Sequence, residues 1–405
     1  MRHTAEELRQ WQALPLNVKV RMTQQRIRDW VHEFGIDGVY VSFSGGKDST
    51  VLLTIARQLY PDIKAAFVDT GLEYPEVREF VRTWDDVEWL KPKKTFKQVI
   101  NDYGYPFISK EVSERIYYAQ RYLTWYKTQK QALTDRQTDR QTAPSPYGLL
   151  ELAGVSRGSE EAKEMQKTRE VPEEILMRFA TSEAKGNYKI KELFGMLEKP
   201  AGGKTAFDYR KWRWLAECPY MISSKCCDVM KKSPARSYQK QTGRKPITGQ
   251  MACESKLRIL QWMKNGCNAF DAKKQVSNPM SFWTEQDALT YIKKNNVKIA
   301  SVYGDIIEDD PNGVEGQMWL SDWEPFKNFD LAEPPLKTTG CRRTGCMFCG
   351  FGCHLEKDGE GRFERMKATH PKQYDYIMRP AEEGGLDFKN VIDWLNENGG
   401  LHIRY

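Results

Sequence analysis

The stretch that decides the fold reads Val39-Tyr40-Val41-Ser42-Phe43-Ser44-Gly45-Gly46-Lys47-Asp48-Ser49-Thr50. Its apolar run and glycine pair predict a short strand that ends at Phe43 and is followed by a tight turn. A helix is expected to begin near Asp48. The first N–H groups of such a helix have no partner within it and lie at the positive end of its dipole. The stretch therefore predicts a place where an anion can bind.

The side chains of this turn favour a phosphate-binding loop over an ordinary strand–turn–helix corner. Lys47 adds a compact cation, and hydroxyl donors come from Ser44, Ser49 and Thr50. The Walker motif needs a longer loop than the three residues Gly-Gly-Lys found here. We therefore expect a phosphate loop of a different type.

The order of residues in the turn resembles the Ser-Gly-Gly-x-Asp-Ser loop of the PP-loop ATP pyrophosphatase superfamily, whose members cleave ATP between the α and β phosphates. A second match follows at 63–68, an apolar run that predicts the next parallel strand and ends in Asp69-Thr70-Gly71-Leu72-Glu73-Tyr74. This ending is similar to the branch of phosphoadenosine-phosphosulfate (PAPS) and adenosine-phosphosulfate (APS) reductases. Both motifs should face one crevice, because open α/β sheets bind ligands at the carboxyl ends of their strands. Taken alone, Asp69 could also be a helix cap.

The resemblance implies roles for individual residues. Catalytic roles would fall on Lys47, Asp48 and Ser49, with ATP and Mg²⁺ as ligands. The residues implied to contact the nucleotide are Ser42, Phe43, Ser44, Gly45, Gly46, Lys47, Asp48, Ser49, Thr50, Asp69, Thr70, Gly71, Thr248, Gly249 and Arg258.

Composition is that of an ordinary globular chain. At 405 residues, with 29% charged and 40% hydrophobic residues, it can bury a large core in two or three domains. Residues 1–7 contain no apolar segment, and no apolar run approaches the roughly 18 residues that span a bilayer, so we expect a cytoplasmic protein with no membrane partner. The net charge of +7 is a mild excess that suits an anionic nucleotide or nucleic acid.

The pattern of the chain predicts an α/β fold with a doubly wound, mostly parallel sheet, because strands and helices alternate over 36–105. The resemblance implies the Rossmann-like, adenine nucleotide alpha hydrolase-like arrangement. We expect N-terminal helices (1–35), an α/β nucleotide-binding domain in two parts (36–105 and 206–335), a helical insertion or lid (106–205) and a cysteine-rich, metal-binding C-terminal region (336–405).

Further elements follow from local signals. Pro15 should divide the N-terminal residues into two helices. Thr284 and Asp287 form a capping box that predicts a helix running to Asn295. Other predictions are a strand at 87–90, a strand end at 245–249, and helices at 115–132, 172–179, 189–197, 254–263 and 388–395. The polar repeat at 134–141 is expected to be a solvated linker.

Nine cysteines in a chain expected to be cytoplasmic argue for reduced thiols or metal ligands rather than disulfides. Cys341, Cys346, Cys349 and Cys353 lie close together in sequence, and an adjacent pair, Cys226-Cys227, lies upstream. Cys346-x-x-Cys349 is a common metal-ligand spacing, and thiolates at this density select zinc or iron–sulfur. Spacing alone does not separate the two. For Cys253 and Cys267 an unliganded thiol is an equally good interpretation.

The resemblance implies a 4Fe–4S cluster, because the APS reductase branch holds one with a Cys-Cys pair and a distant Cys-x-x-Cys. Carried over by position, its ligands would be Cys226, Cys227, Cys346 and Cys349. The local alternative is a set formed by Cys341, Cys346, Cys349 and Cys353. The resemblance covers 36–105 and 215–355, and Cys341 and Cys353 are not part of the motif.

Two departures separate this chain from the reductases. Those enzymes attack sulfate sulfur with a cysteine in a C-terminal Glu-Cys-Gly-Leu/Ile-His motif, whereas this chain ends Gly399-Gly400-Leu401-His402 and has no cysteine after Cys353. The phosphate loop is closer to the ATP-cleaving members, where a lysine suits a departing pyrophosphate.

Three functional hypotheses follow. The first is an ATP-dependent, iron–sulfur-assisted sulfurtransferase that adenylates an acceptor, either tRNA, DNA or a small metabolite, and takes sulfur from a separate donor. Arg258, Lys231 and Lys232 would hold anionic parts of the substrate. The second is a sulfonucleotide reductase whose thiol comes from elsewhere. The third is a nucleotide-binding, DNA-associated module with a structural metal cluster. A homodimer is left open.

Overall fold

The computed structural model describes residues 2–136, 187–194, 209–309, 334–357, 359 and 361–405. The chain divides into two compact units, Met1–Lys93 with Met230–Met347, and Lys94–Val229 with Phe348–Tyr405. The helix predicted at 172–179 and the ends of the predictions at 134–141 and 189–197 lie outside the described residues.

The strands are short. Their bounds are β1 Val39–Ser42, β2 Ala65–Val68, β3 Val87–Leu90, β4 Phe107–Ile108, β5 Lys245–Thr248, β6 Ile306–Glu308, β7 Leu336–Thr338 and β8 Gly350–Phe351. The α-helices are α1 Ala5–Gln12, α2 Leu16–Phe34, α3 Lys47–Leu59, α4 Pro75–Arg82, α5 Phe96–Tyr103, α6 Lys110–Arg136, α7 Asn187–Phe194, α8 Ser233–Thr242, α9 Lys256–Asn265, α10 Glu285–Lys294, α11 Arg362–Thr369, α12 Pro371–Met378 and α13 Phe388–Gly399.

The first unit contains a four-stranded parallel sheet with the order β3-β2-β1-β5. The first three residues of β1 and of β2 are buried, which explains why these strands read as unbroken apolar runs. The predicted α/β fold with a mostly parallel sheet is confirmed. The strand at 87–90 has the predicted bounds, and the one predicted from residue 63 begins at Ala65.

Helices α2, α3 and α10 supply apolar side chains to one core with the sheet, in which Trp30, Leu53 and Tyr291 are buried. Pro15 separates α1 from α2 as predicted, and α10 begins with the predicted capping box of Thr284 and Asp287. The carboxylate of Asp287 also forms a salt bridge with Lys19, whose Nζ lies 2.7 Å from Asp287 Oδ2. Lys19 is only 2% exposed. The same ammonium donates to the carbonyl of Gln12 at 2.6 Å.

The second unit packs α5, α6, α11, α12 and α13 around a two-stranded parallel pair formed by β4 and β8. Phe107 and Phe363 each lie against Phe388, and all three rings are fully buried. The amide of Gln120 on α6 donates to backbone carbonyls that include those of Cys218 and Tyr220, which ties α6 to the segment before Cys226. Within the described ranges, no helix combines the length and the apolar character needed to cross a membrane.

The Lys19–Asp287 pair allows a test of the first unit's core. Replacing Lys19 with methionine leaves the largely buried Asp287 carboxylate without its cation, and we expect the free energy of unfolding to fall by about 3 kcal/mol. The matched control is Lys64→Met, which removes an exposed lysine paired with Asp86 at 2.7 Å. Urea denaturation of both variants measures the difference, and equal stability of the two would contradict the assigned role of the pair.

Candidate active site

Three strand ends of the first unit meet at one edge of its sheet. Ser42 at the end of β1 is paired with Ala66 on β2 and with Thr248 at the end of β5. The residues that follow each strand therefore lie side by side. A Cβ on Gly249 would lie 3.2 Å from the carbonyl oxygen of Asp48, so the turn after β5 rests against the start of α3. The structure thus brings Ser44–Thr50, Asp69 and Thr248–Gly249 together at this edge.

The turn after β1, the phosphate loop (Ser44–Thr50), depends on a glycine with a positive φ. Gly45 has a φ of 69°, and a Cβ there would lie 2.7 Å from methyl groups of Val77 and Val81 on α4. Both backbone conformation and space exclude a side chain. The predicted helix begins one residue before Asp48, at Lys47.

The hydroxyl groups of the phosphate loop bind within the loop itself. Ser44 and Ser49 lie 3.0 Å apart through their Oγ atoms, and the Ser44 N–H donates to Ser49 Oγ at 3.2 Å. The hydroxyls of Ser49 and Thr50 donate to the carbonyl of Gly46 at 2.9 and 3.0 Å. These bonds fix the shape of the loop before any ligand is present.

The side chain of Lys47 is buried and ion-paired. It is 2% exposed, and its Nζ lies 3.2 Å from Asp48 Oδ1 and 3.3 Å from Glu285 Oε1. Arg342 donates to the other oxygen of Glu285 at 2.8 Å. Burial opposes ionisation of Glu285, but the hydrogen bond from Arg342 and the nearby positive charges outweigh it and hold its pKa below the usual value. The Asp48 Oδ1 atom is buried without a hydrogen-bond partner among the described residues.

A tyrosine reaches the start of α3 from a distant part of the sequence. The N–H of Lys47 donates to the hydroxyl oxygen of Tyr303 at 3.0 Å, and that hydroxyl lies 2.6 Å from Thr344 Oγ1. Burial raises the pKa of Tyr303, so the group is neutral at ordinary pH. The Tyr303 hydroxyl therefore links the first amide of α3 to Thr344 through two hydrogen bonds. The sequence contains no local signal for either residue, and both were missed.

Two arginines lie beside the phosphate loop. Arg258, a predicted nucleotide contact, is ion-paired with Glu254, and Nη1 of Arg343 lies 3.8 Å from the same carboxylate. Burial and the nearby Arg343 charge lower the pKa of Arg258, while the Asp48 carboxylate acts in the other direction. The Cys253 thiol shares this environment, and burial raises its pKa.

The turn after β2 is held by its own side chains. Arg78 donates to Asp69 Oδ2 at 2.9 Å, and the Thr70 N–H and hydroxyl both donate to the carboxylate of Glu73. Nζ of Lys231, one of the lysines expected to hold an anion, lies 3.8 Å from Glu73 Oε1. Asp69 therefore anchors a turn in addition to facing the edge of the sheet.

Two of the predicted nucleotide-contacting residues have side chains that bind elsewhere in the protein. The side chain of Phe43 is 1% exposed and packs against Phe80 and Trp84 in the core, so only its backbone is available at the site. The hydroxyl of Thr248 is bonded to Asn278.

The four cysteines of the predicted cluster are divided between the units. Cys226, Cys227 and Cys349 belong to the second unit and Cys346 to the first. The N–H of Met347 donates to the carbonyl of Leu72 at 2.7 Å, so the backbone beside Cys346 lies against the turn after β2.

Burial raises the pKa of Cys349, with a further contribution from Cys227. Among the residues that the structure describes, no three Cys, His, Asp or Glu side chains are grouped so that they could hold a metal ion. The ligand set, like its local alternative with Cys341 and Cys353, stays a prediction.

The glycine turn of the phosphate loop can be tested directly. We expect Gly45→Ala to lower the free energy of unfolding by about 3 kcal/mol, because backbone strain adds to the clash with α4. The control, Gly35→Ala, has a φ of 75° and no atom within 4 Å of the added Cβ, so strain alone should lower it by about 1 kcal/mol. Chemical denaturation compares the two variants. A Gly45→Ala protein as stable as the control would contradict this prediction, because it would show that the phosphate loop accommodates the added Cβ without a clash.

Two known proteins are similar to parts of this chain. The chain is 43% identical over 44 residues to the "Uncharacterized protein MJ0973" of Methanocaldococcus jannaschii, a match that spans 11% of each protein. It is also similar to the crystal structure of phosphoadenylyl-sulfate (PAPS) reductase from Candida auris in a phosphate complex, with 11% identity and a TM-score of 0.32, covering 74% of this chain and 91% of that one. That score is too low to support any inference.

The comparison that decides the family is the one with the phosphoadenosine phosphosulfate reductase domain, whose sequence profile matches residues 38–139 and 166–350. The match includes the phosphate loop, the turn after β2, and the turn after β5. The chain therefore belongs to the phosphoadenosine phosphosulfate reductase domain family.

Proposed function

We propose that this protein binds ATP with its phosphates at the phosphate loop, cleaves it between the α and β phosphates, and transfers sulfur to the adenylated acceptor. The observation that carries the proposal is the buried Lys47 at the first turn of α3, beside the carboxylates of Asp48 and Glu285. A buried cation at a helix N-terminus favours the negative charge that develops on a departing pyrophosphate.

The surrounding charges suit a triphosphate. Arg342 is paired with Glu285, and Arg258 and Arg343 with Glu254, so three guanidinium groups lie in the part of the first unit that carries the loop. Guanidinium groups bind phosphate oxygens with two parallel hydrogen bonds. A bound triphosphate would offer these guanidinium groups phosphate oxygens as partners.

The acidic residues suit Mg²⁺. This ion is usually held by one or two carboxylates together with substrate phosphates. Asp48 and Glu285 meet that description, and the Asp48 oxygen that faces Lys47 has no hydrogen-bond partner among the described residues. When bound there, Mg²⁺ would neutralise charge on the phosphate oxygens.

The reaction balances without a redox step. An oxygen of the acceptor attacks the α phosphorus, a new P–O bond forms, and the bond to the α–β bridging oxygen breaks as pyrophosphate leaves. A hydrosulfide-level donor then attacks the carbon that bears the adenylate. A C–S bond forms, the C–O bond breaks, and AMP leaves. The chain's own groups hold the phosphates in line and stabilise the leaving group.

The residue at position 399 supports this proposal over sulfonucleotide reduction, because glycine stands there before Gly400-Leu401-His402, where the reductases carry their nucleophilic cysteine. The chain has no cysteine after Cys353, and burial raises the pKa of that thiol to about 12. Its Sγ donates to the carbonyl of Gly350 at 2.8 Å. A protonated, buried thiol is a poor nucleophile. Burial and this hydrogen bond disfavour Cys353 as a replacement for the nucleophile of the reductases.

The central prediction concerns Lys47. We expect Lys47→Met, which keeps most of the side-chain volume, to lower ATP–pyrophosphate exchange by about 100-fold or more, because the leaving group loses its cation. Incorporation of labelled pyrophosphate into ATP, with acceptor present, measures this rate. Lys64→Met is the control and should keep wild-type exchange.

Circular dichroism must show that both variants are folded. Wild-type exchange in a folded Lys47→Met protein would mean that the loop does not hold the leaving pyrophosphate. Release of sulfite from APS or PAPS with no exchange from ATP would instead support a reductase whose thiol comes from elsewhere.

The iron–sulfur cluster remains part of the proposal, although no step above passes through it. Protein purified without oxygen is expected to be brown, with a broad visible absorbance band and bound iron. Cys346→Ala should bleach that band, and Cys253→Ala, outside the predicted ligand set, should keep it. Colourless wild-type protein carrying zinc would contradict the cluster.

A further inference from the structure

The first unit contains a cavity that lies apart from the phosphate loop. It has a volume of about 240 Å³ and lies between the end of the edge strand β3 and helix α8. We call it the basic cleft; its lining residues are Trp89, Leu90, Lys91, Lys93, Ser233, Pro234, Ser237, Tyr238 and Gln241. One wall is the chain leaving β3, and the other is one face of α8.

The basic cleft carries positive charge and no negative charge. None of its lining residues is acidic, and the whole segment 229–245 contains no Asp or Glu. Lys91 and Lys93 on one wall are exposed, as are Arg236 and Lys240 on α8. Within the described ranges none of these four has a carboxylate within ion-pair distance, whereas Lys64 and Lys293 elsewhere in the same unit are both paired. The charge of the cleft is therefore uncompensated by the residues that the structure describes.

The basic cleft opens at the same edge of the sheet as the candidate active site. The carbonyl of Leu90, which lines the cleft, accepts the N–H of Asp69 at 2.8 Å. Strands β3 and β1 are separated by β2 alone, and two strand spacings amount to about 10 Å. A polymeric anion seated in the cleft can therefore extend to the phosphate loop.

We infer that the basic cleft binds the phosphodiester backbone of a single-stranded nucleic acid, one of whose neighbouring nucleotides is the acceptor at the phosphate loop. This inference rests on the proposed function for the role of the acceptor, but not for the binding itself. Of the acceptors named in the sequence analysis, namely tRNA, DNA and a small metabolite, this inference selects a nucleic acid.

The chemistry of the walls fits this ligand. Phosphodiesters are recognised by Lys and Arg together with Ser, Thr and Gln side chains, and the lining of the basic cleft contains Lys, Ser and Gln. Ser233 and Ser237 are one helical turn apart on α8, so their hydroxyls lie on the same face with Gln241. A cavity of this size admits one strand, while a duplex would remain outside it.

The test is binding of a fluorescein-labelled single-stranded oligonucleotide of about 12 nucleotides, in DNA and RNA forms, to the full chain. Fluorescence anisotropy gives Kd as a function of salt. We expect Lys91→Ala/Lys93→Ala to weaken binding about tenfold or more at low salt. Loss of two phosphate contacts should also lower the slope of log K against log salt by about 1.4.

The matched control is Lys64→Ala/Lys293→Ala, which removes the same charge from the same unit but from paired lysines. It should bind like the wild type. Neither double variant touches the phosphate loop, so both should keep the ATP–pyrophosphate exchange measured with an acceptor too short to reach the basic cleft. Loss of exchange in the wild type would therefore count against the proposed function and leave the binding result standing.

Several outcomes would overturn the inference. They are equal weakening by the two double variants, tighter binding of a duplex than of either single strand, and equal competition by inorganic phosphate at the same phosphate concentration. The last would indicate a small-anion site in place of a polymer track.

Discussion

The ion pairs of one buried ammonium hold the candidate active site together. The side chain of Lys47 is 2% exposed. Removing its positive charge from water costs several kcal/mol unless the charge is paired. Its two carboxylate partners come from the next residue and from Glu285 at the start of α10. Glu285 in turn binds Arg342. The turn after β1, the first turn of α10 and the chain near residue 342 are thus tied to one positive charge.

Hydrogen bonds within the phosphate loop and to Tyr303 also stabilise the candidate active site. Hydroxyl groups close the phosphate loop on itself, and Tyr303 accepts a hydrogen bond from the first amide of α3 and is hydrogen-bonded to Thr344. A loop whose hydroxyl groups are hydrogen-bonded within it keeps its shape in the free protein. Such a loop loses little conformational entropy when phosphate binds.

The first unit separates two kinds of positive charge. Near the phosphate loop, each arginine has a carboxylate partner, which suits a site that alternates between empty and filled. In the basic cleft, the lysine and arginine side chains have no carboxylate partner among the described residues. Such charges suit a surface that binds a polyanion by electrostatic attraction, which salt weakens. The phosphate loop and the basic cleft both lie at the carboxyl ends of strands of the same parallel sheet, where ligands bind in open α/β folds.

The sequence by itself determined the elements that depend on short-range rules. The strand–glycine–helix order at 39–50, the break at Pro15 and the capping box at Thr284 each involve residues close together in the chain, so local periodicity and capping chemistry sufficed. Family membership also followed from two local motifs. Tertiary structure alone decided which charges surround Lys47, because Glu285, Tyr303 and Arg342 lie far from it in sequence. Long-range pairing of buried charge depends on how the elements pack, and no local pattern encodes it.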